Sequence, residues 1–427
     1  MVAATGIGMA PAWWAARMRG LHGERSTGGV RPWARMAMAS AQVAVTFALL
    51  GSCALVLRSL WKMESVPLGF DTSQVLSAGV TLNPAKYGTP ERQMEFFERL
   101  LERARRAPGV QVAALSDSLP PSGPMGSMIF ARIAVEGRPL PESGTGGMVA
   151  WRGVTPGYFE ALRVPMVRGR GFVEGDRTGA ETAMVLSERL ERKLFPGGSG
   201  LGKRLSPGGL ETPWHVVVGI ARDTRNAGLA AEGDPEYYVV RKAEARGARR
   251  RLFLVVRAQG EPGATARWLK AEIAGMDGQL PVKFETMEER AGELAARPRF
   301  TAWLLAAFAG LALALAAMGL AGVASYLVTQ RRRDIGVRMA LGATPARIRN
   351  AVLSEAGRWI GVGLLGGAAL AWGAARFLTA FLFGTQAWDP ASWAVSLGVL
   401  AVALVAAVLA PARRAARVDP VRALRSE

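Results

Sequence analysis

The chain of 427 residues has one cysteine, Cys53, and two histidines, His22 and His215. A single thiol excludes an intramolecular disulfide, so any extramembrane domain must be held by its own apolar core. The same scarcity excludes a Cys/His metal centre, and no G-x-S-x-G nucleophile turn is present. Carboxylates are plentiful, but none forms an acid–base pair recognisable from spacing. The catalytic set and the metal set are therefore read as empty, and the chain as no enzyme. A basic stripe with interleaved aromatics is also missing, which excludes nucleic acid as a partner despite a net charge of +19.

Charge is absent in a more telling way along parts of the chain. Phe300–Gln330 runs for 31 residues without a charged side chain and stops at Arg331, Arg332 and Arg333. About 20 apolar residues suffice to cross a bilayer core. Met36–Leu57 and Ala391–Ala412 are each uncharged over 22 residues, and Trp359–Ala375 over 17. The last run is short alone. It extends to a helix over 355–380 if Glu355, Arg358 and Arg376 reach toward the interfaces or face protein. The expectation is four transmembrane helices, at 36–60, 299–328, 355–380 and 391–411.

Arginine fixes the orientation. Residues 1–36 carry five Arg against one Glu, residues 329–358 seven Arg against Asp334 and Glu355, and residues 411–427 five Arg against Asp419 and Glu427. Most of the positive excess thus lies beside membrane segments, the positive-inside pattern, with anionic lipid headgroups as partners. The tails 1–35 and 412–427 and the loop 329–354 are placed in the cytoplasm. Residues 61–298 form a large external domain, and 381–390 a short external loop. An odd number of spans would strand one arginine cluster on the wrong face. Leu50-Gly-Ser-Cys53 resembles a lipoprotein cleavage box, but it lies too far along the chain and is read as part of an uncleaved anchor.

The external segment reads as α+β. Residues 74–82, 110–116, 129–135, 214–220 and 252–258 are short β-type runs between Gly and Pro breaks. Glu91–Arg106 is an amphipathic helix, with Met94, Phe97, Leu100, Leu101 and Ala104 on one face. A helix over 286–296 feeds into the second span without a flexible linker. Gly197-Gly-Ser-Gly-Leu-Gly202-Lys203-Arg204 nearly spells a phosphate loop, yet Arg204 replaces the hydroxyl residue and a helix, not a strand, precedes it. It is read as a surface turn.

Within the cytoplasmic loop, Ile335, Met339, Ile348 and Val352 follow helical spacing, with arginines opposite. Gly342 ends a first helix, and Thr344 with Pro345 starts a second. The site residues singled out are Arg333, Asp334, Ile335, Gly336, Val337, Arg338, Met339, Ala340, Leu341, Gly342 and Ala343, read as a docking element. In the third span Gly357, Gly361, Gly363 and Gly367 give G-x-x-x-G spacings, which permit close helix packing within or between subunits. Finally, Pro11-Ala-Trp-Trp-Ala-Ala-Arg17 repeats as Pro411-Ala-Arg-Arg-Ala-Ala-Arg417. Residues 1–21 are read as the remnant of a preceding copy of the module.

The stretch Arg332-Arg333-Asp334-Ile335-Gly336-Val337-Arg338-Met339-Ala340-Leu341-Gly342-Ala343 resembles the segment after the second span in ABC transporter permeases of the MacB/FtsX type. Ala41–Ala44, Pro108–Val110, Val154–Phe159, Gly169–Phe172, Gly202–Leu205, Ile220–Asp223 and Asp419–Arg425 resemble further landmarks of that family. The end repeat is similar to the junction of duplicated orphan permeases (ADOP type), of which this chain would be one half. The resemblance implies an integral membrane α-helical fold of four helices plus an α+β MacB-like periplasmic core domain, with 299–420 as the FtsX-like permease domain. It implies inner-membrane localisation, a separate cytoplasmic ATPase that binds ATP-Mg, a second permease half, and no cofactor in this chain. The function implied is export or extrusion of a substrate, or alternatively mechanotransmission that regulates an envelope partner.

Overall fold

The computed structural model describes residues 32–122, 128–131, 133–139, 147–208, 213–226, 234–244, 248–330, 332–341, 343–378, 385–386 and 388–415. The end repeat at 11–17, the motif at 419–425, Arg331 and Gly342 lie outside them. In order the elements are α1 (Pro32–Ser65), β1 (Val75–Thr81), α2 (Pro90–Arg105), β2 (Val110–Ser116), β3 (Met128–Ala131), β4 (Ala134–Val135), β5 (Gly147–Val154) and α3 (Tyr158–Ala161). There follow β6 (Met166–Gly169), α4 (Glu174–Thr178), β7 (Thr182–Ser187), α5 (Glu188–Leu194), β8 (Arg204–Ser206), β9 (His215–Ala221), β10 (Glu236–Val240), β11 (Arg251–Ala258), α6 (Pro262–Met276) and β12 (Val282–Thr286). The last described elements are α7 (Met287–Gln330), α8 (Arg332–Ala340), α9 (Pro345–Leu378) and α10 (Pro390–Ala415).

Two units result, one of Cys53–Ala306 with Leu378–Asp389, the other of the remaining helical segments. The first is built on a mixed sheet in the order β12-β1-β11-β2-β5-β10-β7-β9-β8-β4, with β3 against β5 and β6 against β9. β5–β10 and β7–β9 run parallel, and the other pairs antiparallel. α2 and α6 cover one face of β1, β2 and β11. Phe96, Phe97, Leu100, Leu101 and Ala104 are buried there with Leu254, Val256, Leu269 and Ile273. Thr89 caps α2 and Pro90 starts it, as a helix N-terminus requires. A second cluster gathers Tyr158, Phe159, Phe172 and Tyr238, and a third packs Leu190 and Leu194 of α5 on β7 and β9. The expected strand over 129–135 is two strands, β3 and β4, with different partners, β5 and β8.

A buried charge pair sits in the middle of this sheet. Arg152 on β5 and Glu236 on β10 are both fully buried, with the Arg152 Nε 2.5 Å from Glu236 Oε1. Arg152 also donates to Ser118 Oγ at 2.9 Å and to Asn226 Oδ1. The other Glu236 oxygen accepts from Thr224 at 2.8 Å, Asn226 at 2.6 Å and Tyr238 at 2.7 Å. Burial opposes the charge on Arg152, and the Glu236 carboxylate outweighs it, leaving the guanidinium more firmly protonated than usual. Every member of the network has a partner, the condition under which buried charge is tolerable.

The second unit is helical. α1 lies at its centre: Thr46 donates to Ala312 O at 3.1 Å and Ser40 to Trp359 O at 2.9 Å. Phe47 stacks at 5.7 Å on Trp393 of α10, and Leu400, Leu404 and Val408 complete the core. Outward-facing side chains are large and apolar, among them Leu311, Leu315, Met318, Leu365, Val402 and Val405. A soluble protein does not expose such a continuous apolar coat; a bilayer covers it.

Among the described residues, three helical segments, not four, are long and apolar enough to cross a membrane: Met36–Ser65, Pro298–Gln330 and Pro390–Arg413. α9, which contains the expected span 355–380, falls short although it runs for 34 residues. The physical reason is composition: Glu355, Arg358 and Arg376, with Gly357, Gly361, Gly363, Gly366, Gly367 and Gly373, dilute its apolar content. Within 329–354 a second helix starts where Thr344 and Pro345 were expected to start one. α9 begins at Pro345, so its first turns are already part of that long helix.

Candidate functional site

The described sheet meets helices at two joints. At the first, β12 pairs with β1 and ends at Thr286, where α7 starts directly. Thr286 Oγ1 accepts from the Glu289 amide at 3.1 Å, and Glu289 Oε2 accepts from the Thr286 amide at 2.9 Å. This reciprocal pair is a capping box, which satisfies two orphan donors of the helix. Met287 is fully buried in the core beside Tyr158 and Tyr238. Arg290 donates to Glu285 at 2.6 Å. Burial pushes the Glu285 carboxyl up, but hydrogen bonds from Lys283 and Arg290 hold it below its usual range. One helix then runs unbroken from Met287 to Gln330.

At the second joint, the chain leaving α1 is bonded to the domain before β1 begins. Leu68 O accepts from the Arg225 amide at 3.0 Å, and the Asp71 amide donates to Leu162 O at 2.8 Å. Buried Arg257 donates to Ala161 O at 2.7 Å, Ser73 O at 3.0 Å and Asp71 O at 3.2 Å. Gly69, at φ +84°, is required here, since a Cβ would stand 2.1 Å from Asp223 O. α1 and α7 are also tied to each other: Met63 packs on Ala295, and Glu64 pairs with Arg299 at 2.6 Å.

At the far end of α7 stands α8. Ile335 is buried against Ile348, with Met339, Ala343, Val328 and Val352 around them. Asp334, Val337 and Arg338 are exposed, and Leu341 is 82% exposed. Arg333, Gly336 and Ala340 belong to the helix, but their side chains, like Gly342, lie outside the described set. The Ala343 amide donates to Arg338 O at 2.9 Å, which closes α8. Thr344 Oγ1 accepts from the Arg347 amide at 3.4 Å and opens α9 with Pro345. The element is a short helix with one apolar edge pinned to α9 and a projecting leucine.

The four glycines divide. A Cβ on Gly363 would stand 2.7 Å from Ser40 O, and one on Gly367 2.9 Å from Ala44 O. These two let α9 lie directly on α1, as small residues do in membranes. Gly357 and Gly361 meet nothing within 4 Å.

The near-phosphate loop also has a structural account. It follows α5, and the Gly200 amide donates to Glu191 Oε1 at 2.8 Å. Glu191 is buried and accepts from Arg168 as well. The Gly200 amide, one of the donors a phosphate would need, is thus already bonded to a carboxylate.

Several of the other sequence landmarks contribute buried aromatic or hydrogen-bonded positions. Tyr158 and Phe159 are buried edge to face at 5.6 Å, Phe172 lies 5.7 Å from Phe159, and Asp223 accepts from the Arg189 amide at 2.7 Å.

Residues 78–274 match the MacB-like periplasmic core domain, and residues 306–420 the FtsX-like permease C-terminal domain. A probable export ATP-binding/permease protein MacB of Pseudomonas entomophila (strain L48) is 25% identical over 305 residues, 66% of this chain and 44% of that protein. The uncharacterized ABC transporter permease YknZ of Bacillus subtilis (strain 168) is 26% identical over 286 residues, 64% of this chain and 69% of that one. The periplasmic region of MacB from Actinobacillus actinomycetemcomitans covers 54% of this chain at 12% identity and a TM-score of 0.37. The chain thus spans less than half the length of the Pseudomonas relative. With one domain built on the strand-rich sheet and the other in the helices that follow, the chain belongs to the ABC transporter permeases of the MacB/FtsX type.

Proposed function

We propose that this chain is one permease half of an ABC transporter in which a separate cytoplasmic ATPase, binding ATP-Mg, drives motion of the external domain for export. One observation carries the reading. A single helix starts inside the edge of the external sheet, through the Thr286–Glu289 capping box, and is followed at its other end by α8 with exposed Leu341. Along α7, from Gln330 to Met287, force has no loop to dissipate it before β12. ATP binding can shift the domain only through differential affinity for its two shapes, so Arg338 and Leu341 act as contact residues and not as catalysts.

α9 serves as the fourth crossing. Its Gly363–Gly367 face rests on the central helix α1, and an even span count returns the arginine-rich 329–358 and 411–427 to one side. The tails and α8 are then cytoplasmic, the sheet periplasmic, and lipids cover the apolar coat. A second permease half, of the same or a related chain as in ADOP-type pairs, completes the unit.

Leu341→Asp is expected to abolish stimulated ATP hydrolysis in membranes co-expressing the ATPase and the second half, with the variant still accumulating. An exposed substitution changes stability by only about 0.5 kcal/mol. Stimulation equal to wild type would remove α8 from the coupling path.

A further inference from the structure

A cavity of about 380 Å³ opens between α1, α7, α8 and α9. Its size falls within the roughly 300–1,000 Å³ of small-molecule sites. Most of its lining is apolar, including Leu320, Leu327, Ile348, Val352 and Trp359, so its occupant needs a hydrocarbon part. Asp334 and Arg338 of α8 line it too, one helical turn apart, and Glu355 adds a further carboxylate from α9. Neither Asp334 nor Arg338 has an ion-pair partner among the described residues.

That combination selects by charge. A simple anion meets Asp334 and Glu355, and a simple cation meets Arg338. A headgroup with a phosphate and a primary ammonium a few bonds apart satisfies both. Guanidinium suits phosphate oxygens, and a carboxylate accepts hydrogen bonds from an ammonium that a quaternary amine cannot donate. We propose that this cavity binds one aminophospholipid, acyl chain among the α7 and α9 side chains, phosphate on Arg338 and ammonium on Asp334. Bound there, the lipid bridges α8 and the helical unit at the element assigned above to the ATPase, so its leaflet and its effect on coupling rest on that reading, whereas its binding does not.

The test uses the full chain in nanodiscs of phosphatidylcholine doped with acyl-brominated lipids. Quenching of Trp359 is read as the difference between wild type and Trp359→Phe. Brominated phosphatidylethanolamine is expected to quench this component saturably, with a preference of about tenfold over brominated phosphatidylcholine or phosphatidylglycerol. Asp334→Asn with Arg338→Gln, both at exposed positions, is expected to remove the preference while the fold persists. Equal quenching by all three lipids, or a preference unchanged in the double variant, would overturn the site. The readout involves no ATPase, so a lipid preference that survives while Leu341→Asp leaves hydrolysis unaffected would sink the coupling reading alone.

Discussion

Arg152→Ala is expected to destabilise the external domain by roughly 3–5 kcal/mol, enough to unfold much of it, because it strands the Glu236 carboxylate in a fully buried site. Three hydroxyl or amide donors would still face Glu236, but none supplies a positive charge. The double variant Arg152→Met/Glu236→Gln is expected to recover most of that loss, since removing both charges removes the desolvation cost with the attraction. Thermal unfolding of the full chain in detergent, followed by intrinsic fluorescence, separates the two. A single variant as stable as wild type would mean that the network contributes nothing to the sheet.

Gly363→Leu carries the second large effect. The new side chain would have to occupy space held by the Ser40 carbonyl and Val43, and backbone cannot yield as a flexible side chain does. Overpacking costs typically 1–3 kcal/mol in a core, and here it also parts α9 from α1. Gly361→Leu, two residues away, meets nothing within 4 Å and is expected to leave the isolated chain unchanged. The contrast in melting temperature between the two is the measurement. Equal losses would indicate a general penalty for leucine in this helix and not a specific contact.

Much of this architecture was legible in the residues because its signals are local. α2 announces itself by the spacing of Phe97, Leu100, Leu101 and Ala104, and α7 by its uncharged length. The joint into α7 was legible as a helix without a linker, though the capping box required the Thr286–Glu289 geometry. What escaped detection was non-local. β5 and β10 pair parallel across 84 residues of chain, and Arg152 reads as a surface residue until Glu236 stands beside it. The four glycines of α9 look alike in sequence; only the position of α1 distinguishes Gly363 and Gly367 from Gly357 and Gly361. α9 does not stand out by composition for a related reason, since a helix that packs through glycines and bears charges near its ends has less apolar content to display.

The mechanism requires that the sheet and α8 lie on opposite sides of the bilayer. In a Cys53→Ala background, Gln111→Cys, at an exposed position near the start of β2, and Leu341→Cys after α8 can each be probed with a membrane-impermeant maleimide. Intact cells with a permeabilised outer envelope should label position 111 at once, and position 341 only after the inner membrane is opened. Labelling of position 341 from outside, or protection of position 111, would contradict the account.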